Sequence, residues 1–274
     1  MLERELYGAV RNFLVEQKLC CSEYVGSELF LRRGDQRLRV DVYGVSLSEA
    51  GKTIYLCEGK RELKHRSFGR VVGEAIELLK YGDYVYIFGS EKGFETKDKE
   101  DQLEKCEKLG IGVLAVEVHG QNYLVRELLK PKRNKLGEMD RKEVIFRVFT
   151  RGLKNPVANI IFQAAFECVT LGYSLGVDKP CVRFVDVYNL LLPDEEHREM
   201  VRRVIGGRHT LLDKDVRKAF QKSYGKSPYI RIKREDNILN DIICFTEKGM
   251  EKGKKPILLT QPTIGPSLNK KIVC

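Results

Sequence analysis

Asp41, Glu58 and Lys60 are the residues of this sequence whose types and spacing suit chemistry on a phosphate. Glu58 and Lys60 flank Gly59 at the end of Tyr55-Leu56-Cys57-Glu58-Gly59-Lys60. Side chains two apart on a strand share a face, so this acid and this ammonium point the same way. Asp41 sits in the preceding alternating segment, on the face opposite Leu38, Val40 and Val42. Two adjacent strands would bring the carboxylates close together, where they repel unless a cation lies between them. Oxygen-only ligation by two acids suits Mg2+, which keeps waters and binds phosphate oxygens. A neighbouring ammonium can position a water or stabilise a developing oxyanion. These are the parts of metal-assisted phosphodiester hydrolysis.

The elements that must position these groups follow from periodicity. Glu3 to Lys18 carries Leu6, Val10, Phe13 and Leu14 at helical spacing. Strands are expected at Glu28 to Arg32, Arg37 to Val45 and Thr53 to Lys60, separated by turns at 33–36 and 48–52. A helix over Val71 to Lys80, a buried strand at Tyr84 to Phe88, a helix over Gln102 to Leu109 and a strand at Val113 to Val116 complete the first half. A meander that feeds a crossover helix predicts a mixed α/β core. The polar stretch Leu129-Lys130-Pro131-Lys132-Arg133-Asn134-Lys135 marks a boundary. The expected organisation is a catalytic domain over 1–131, a second domain over 140–259 and an extended tail over 260–274.

The second half reads as mostly helical. Val157 to Leu171 is strongly apolar, and Phe184 to Leu192 and Glu195 to Val204 follow. Thr210-Leu211-Leu212-Asp213 opens a further helix to about Tyr224. Tyr229 to Lys233 and Ile238 to Phe245 then flank a turn. Helices, a capped basic helix and a hairpin are the order of a winged helix-turn-helix module.

The order of helix acid, strand Asp, turn, strand Glu-x-Lys, helix and buried strand resembles the PD-(D/E)xK nuclease superfamily of restriction-endonuclease-like and RecB-like enzymes. The resemblance covers residues 3–118. Val40-Asp41 stands where the family has Pro-Asp, and Glu58-Gly59-Lys60 where it has (D/E)xK, with Gly59 in place of the usual apolar residue. It implies a restriction-endonuclease-like sheet core flanked by helices, followed by the winged-helix-like domain. It also implies roles. Asp41 and Glu58 would bind Mg2+, or Mn2+ in its place, with the Gly59 carbonyl. Lys60 would assist the attacking water. Glu5, the first-helix acid, would join a second metal or orient a ligating water. Glu74, in Gly73-Glu74-Ala75, would be peripheral to the site.

Charge points the same way. The net charge is +10, but residues 1–131 sum to −1 and residues 132–274 to +11. The excess is densest over 201–234, with eleven basic and two acidic residues, which calls for a polyanion partner. Arg217, Lys218 and Lys222 on the expected recognition helix, and Arg231, Lys233 and Arg234 on the hairpin, are the candidate DNA contacts. The alternative is a solvated basic surface. No apolar stretch is long enough to span a bilayer, and the charged N-terminus lacks a signal peptide's layout, so a cytoplasmic, intracellular protein is expected. The eight cysteines show no CxxC spacing, which argues against a zinc or iron–sulfur site and for mostly reduced core thiols. The functional expectation is a Mg2+-dependent endonuclease acting on duplex DNA, with a homodimer as the simplest way to cut both strands. A non-catalytic DNA-binding protein that keeps the nuclease fold, or an RNA-directed nuclease, are the rival readings.

Overall fold

The computed structural model describes residues 3–33, 36–48, 51–94, 98–120, 122–151, 156–170, 180–191, 195–196, 199, 220–237 and 240–253. The chain divides into two compact units between Val144 and Ile145.

The first unit is a mixed α/β layer structure. A short 3-10 turn, Glu3–Glu5, leads into α1 (Leu6–Lys18). Three strands follow: β1 (Gly26–Arg33), β2 (Gln36–Ser48) and β3 (Gly51–Gly59). Helix α2 (His65–Leu78) crosses to β4 (Tyr84–Ser90). The one-turn α3 (Glu91–Phe94) and α4 (Lys99–Leu109) lead to β5 (Gly112–His119), β6 (Asn122–Leu129) and α5 (Glu138–Thr150), a helix that contains the division between the units. The six strands lie in sequence order. The β1–β2–β3 meander is antiparallel, β3, β4 and β5 run parallel, and β6 turns back antiparallel. This is the expected mixed sheet with flanking helices, plus β6, which the sequence reading missed. Asn122–Leu129 has no clean alternation and lies at an edge where Tyr123, Leu124 and Val118 stay exposed.

Helix α1 covers one face. Leu6, Val10, Phe13 and Leu14 recur at helical spacing and bury against Val42, Cys57, Tyr86, Phe88, Leu114 and Val116. The α1 helix ends with Leu19 in the left-handed region, φ 54°, and α4 ends the same way on Gly110, φ 74°. Asp83 fastens the far end of the sheet. It is fully buried, accepts the Ile54 N–H at 2.8 Å and receives both Arg141 nitrogens at 2.7 and 2.5 Å. The polar segment 130–137 packs on this unit as well: Asn134 N–H donates to the Asp83 carbonyl at 2.8 Å, and Lys132 N–H to Gly110 at 3.0 Å.

The second unit contains α6 (Pro156–Thr170), β7 (Cys181–Arg183), α7 (Phe184–Leu191), a helical turn at 220–224, β8 (Ile230–Lys233), β9 (Ile242–Phe245) and α8 (Glu247–Gly253). The hairpin is β8–β9, and β7 adds a third strand beside β9. Phe162 stacks on Tyr224 with centroids 4.8 Å apart and meets Phe245 edge-on. The expected helices over Glu195 to Val204 and over 210–219, with Arg217 and Lys218, lie largely or wholly outside the described residues, as does the 260–274 tail. The cysteine expectation needs one correction. Cys20, Cys57, Cys106 and Cys168 are free and buried, but Cys181 and Cys244 are directly opposed across β7 and β9 and form a disulfide. Sixty-three residues separate them, and only strand pairing brings them together. Among the described residues, no helix is long and apolar enough to cross a membrane.

Candidate metal and phosphodiester site

The strands deliver the three central residues to one place. The β2–β3 ladder opens with Val42 opposite Cys57, so Asp41 and Glu58 are the next step outward, on the opposite face from the α1 core. Both are buried: Asp41 is 0% and Glu58 3% exposed. The Gly59 N–H donates to Asp41 Oδ2 at 3.0 Å, which fixes the Asp41 carboxylate against the end of β3. The Lys60 N–H donates to the Phe88 carbonyl at 3.0 Å and continues the parallel ladder by one residue. Gly59 is a steric requirement, because any Cβ there would run into the Phe88 ring. That ring is itself held edge-on to Tyr7.

Four carboxylates and three cations meet here. The Lys60 ammonium lies 3.6 Å from Glu3 Oε1, 3.6 Å from Glu74 Oε2 and 3.8 Å from Glu58 Oε1. Arg39 places Nη2 3.0 Å from Asp41 Oδ1. Arg70, one turn before Glu74 on α2, donates to it at 2.9 Å. The Tyr7 hydroxyl reaches Glu3 at 3.4 Å and also hydrogen-bonds Asp41. Burial, then the Asp41 carboxylate, holds the Tyr7 phenol well above its usual range. Burial and the neighbouring charges of Asp41 and Glu74 push Glu58 from the ordinary 4.5 up to about 9. Glu74 goes the other way: burial would raise it, but the Arg70 hydrogen bond and the Lys60 charge together lower it.

Each sequence-predicted residue has a place except Arg217 and Lys218, which lie outside the described residues. Asp41, Glu58, Gly59, Lys60 and Glu74 converge. Glu5 is exposed at the N-cap of α1, and the acid that meets Lys60 is Glu3, two residues earlier. The 3-10 turn over Glu3–Glu5 explains the offset, because a helix registered from residue 3 turns its side chains differently. Tyr7 and Arg39 were not singled out. Arg39 had a signal, since it sits two residues before Asp41 on an alternating strand. In the second unit, Lys222, Arg231, Lys233 and Arg234 lie on or beside the 220–224 turn and β8. Lys233 pairs with Glu235 at 2.8 Å, and Arg234 donates to Gln221 at 2.8 Å.

The donor set fits a hard divalent cation. Glu58 Oε2 is buried without a hydrogen-bond partner, an arrangement costly to leave unmet, Asp41 Oδ1 is met by the Arg39 ion pair, and all the available donors are oxygens. Among the described residues, no group of three His, Cys, Asp or Glu side chains is arranged to hold a metal. Two protein carboxylates are enough for Mg2+, which fills its remaining positions with water and substrate phosphate.

No family model and no curated protein matches the chain. Solved structures with a distant similarity include the following two. SPO1766, a protein of unknown function from Silicibacter pomeroyi, is 18% identical, with a TM-score of 0.40 over 64% of this chain and 97% of that one. The SfsA protein of Pyrococcus furiosus, solved in complex with Ca2+, is 17% identical, with a TM-score of 0.26 over 48% of this chain and 64% of that one.

Proposed function

We propose that the protein is a divalent-metal-dependent nuclease that hydrolyses phosphodiester bonds of DNA. One observation carries this reading: the buried carboxylates of Asp41 and Glu58 converge, with Glu58 Oε1 3.8 Å from the Lys60 ammonium and Glu58 Oε2 without a hydrogen-bond partner. When bound between them, Mg2+ would polarise the phosphate and acidify a water. The chain's own groups supply the rest. The Gly59 N–H holds Asp41 in one orientation. Glu3 and Glu74 hold the Lys60 ammonium at the mouth of the carboxylate pair, where it can orient the attacking water and offset charge developing on the phosphate. The basic residues of the second unit, Lys222, Arg231, Lys233 and Arg234 with Arg217 and Lys218, are proposed to hold the duplex through its phosphates.

The test is incubation of the full chain with duplex, single-stranded and branched DNA and with RNA, in Mg2+ and in EDTA. Cleavage of duplex in Mg2+ alone is the expected result. Binding without cleavage of any substrate would favour the non-catalytic rival, and cleavage confined to RNA would reassign the substrate.

A further inference from the structure

The near-neutral charge of the first half conceals a basic ribbon beside the candidate site. Residues 30–39 read Phe-Leu-Arg-Arg-Gly-Asp-Gln-Arg-Leu-Arg, four arginines against one acid. Residues 30–33 and 36–39 form the outer part of the β1–β2 ladder, which pairs Phe30 with Arg39, Leu31 with Leu38, Arg32 with Arg37 and Arg33 with Gln36. β3 ends at Gly59 and its pairing with β2 begins only at Val42–Cys57. The two-stranded ribbon therefore runs on past the end of β3, starting at Asp41.

The two faces of the ribbon differ. Leu29, Leu31, Val40 and Val42 are buried on one face, the last of them in the cluster with α1. On the other side Phe30 is 52% exposed, and its ladder partner Arg39 has a side chain 42% exposed, lying 3.0 Å from Asp41. Positions 37, 39 and 41 recur at a strand's two-residue spacing, about 6.6 Å. The ladder also sets arginine positions 32 and 37 directly opposite each other. Like charges so placed disfavour pairing unless an anion lies across them.

We propose that this ribbon is the cradle that guides a DNA strand into the site. Its arginines take successive backbone phosphates, the exposed Phe30 lies against a deoxyribose or base, and Arg39 hands the strand to Asp41, Glu58 and Lys60. The inference rests on reading that trio as a phosphodiester site. It adds the surface that places the scissile phosphate, in the unit that carries the chemistry.

The experiment measures binding of the full chain to a short fluorescein-labelled duplex by anisotropy, over a salt series, in EDTA so that nothing is cut. Arg32→Gln/Arg37→Gln should flatten the dependence of log affinity on log salt by close to two units, at about 0.9 per phosphate contact on duplex DNA. Adding Arg39→Gln should remove about one more. Arg32→Lys/Arg37→Lys keeps the charge and should keep the wild-type slope. Thermal melting of the Gln variant should match or exceed wild type, because the opposed charges are gone. An unchanged slope in the folded Gln variant overturns the proposal, as does loss of binding in the Lys variant. Capture is read here without catalysis. A chain that binds through the ribbon yet cuts nothing in Mg2+ upholds the cradle and ends the hydrolytic reading. A chain that cuts in Mg2+ while its Gln variant keeps the slope does the reverse.

Discussion

Replacing Glu58 by Gln should make the metal-free protein more stable, and increasingly so as pH rises. The folded structure holds Glu58 up at about 9, chiefly through burial and then the Asp41 charge, against the ordinary 4.5. Between those two values the folded chain keeps a proton that the unfolded chain has lost. Stability from this group is therefore fully present below pH 4.5 and is lost as pH rises toward 9. Each pH unit in that window costs about 1.4 kcal/mol, so about 4 kcal/mol separates pH 5 from pH 8. The substituted amide keeps the shape of the acid and cannot ionise, so Glu58→Gln should be roughly that much flatter over the same span. If Mg2+ binds the ionised pair as proposed, it should restore wild-type stability at pH 8, with no such gain in the variant. Urea unfolding from pH 5 to pH 8, with and without Mg2+, measures all of this. The reasoning fails if the wild type shows no decline with pH, or if Glu58→Gln declines as steeply.

Three further outcomes follow from the geometry. Lys60→Ala should lower the single-turnover cleavage rate far more than duplex affinity, because the role proposed for the ammonium is at the scissile phosphate; an affinity loss that accounts for the whole effect would make Lys60 a binding residue. Gly59→Ala forces a methyl group into the Phe88 ring, so it should cost about 1–3 kcal/mol by overpacking and impair cleavage, and a fully stable, fully active variant would show that the Phe88 contact does not position the site. Asp83→Ala leaves the Arg141 guanidinium and the Ile54 N–H without their buried partner, which should cost about 3–5 kcal/mol in urea unfolding, and a loss under about 1 kcal/mol would reduce this clamp to a surface ion pair.

The sheet was legible because its strands carry strong local signals. Leu38 to Val45 alternates, Tyr84 to Phe88 is continuously apolar, and the turns between them are polar. Once those strands are paired, the two-residue period alone places Asp41 beside Glu58, and Lys60 beside Glu58. What escaped depended on tertiary contacts. Glu3 replaces Glu5 because a 3-10 turn precedes the helix, an offset of two residues that periodicity cannot resolve. Tyr7 carries no local signal, and only the folded structure brings its hydroxyl to Glu3 and Asp41. The Cys181–Cys244 disulfide needs two strands that are far apart in sequence. The arginines of the β1–β2 ribbon were averaged into a neutral half, since summing charge over residues 1–131 hides a cluster as short as 30–39.

The central claim is that Asp41 and Glu58 form a cation-dependent hydrolytic site. It is tested most directly by single-turnover cleavage of duplex DNA by the wild type and by Asp41→Asn, at saturating protein in Mg2+, with duplex affinity of both measured in EDTA. The account predicts cleavage by the wild type, none by Asp41→Asn, and equal affinities within about threefold, or about 0.7 kcal/mol. Cleavage by Asp41→Asn at the wild-type rate would contradict it.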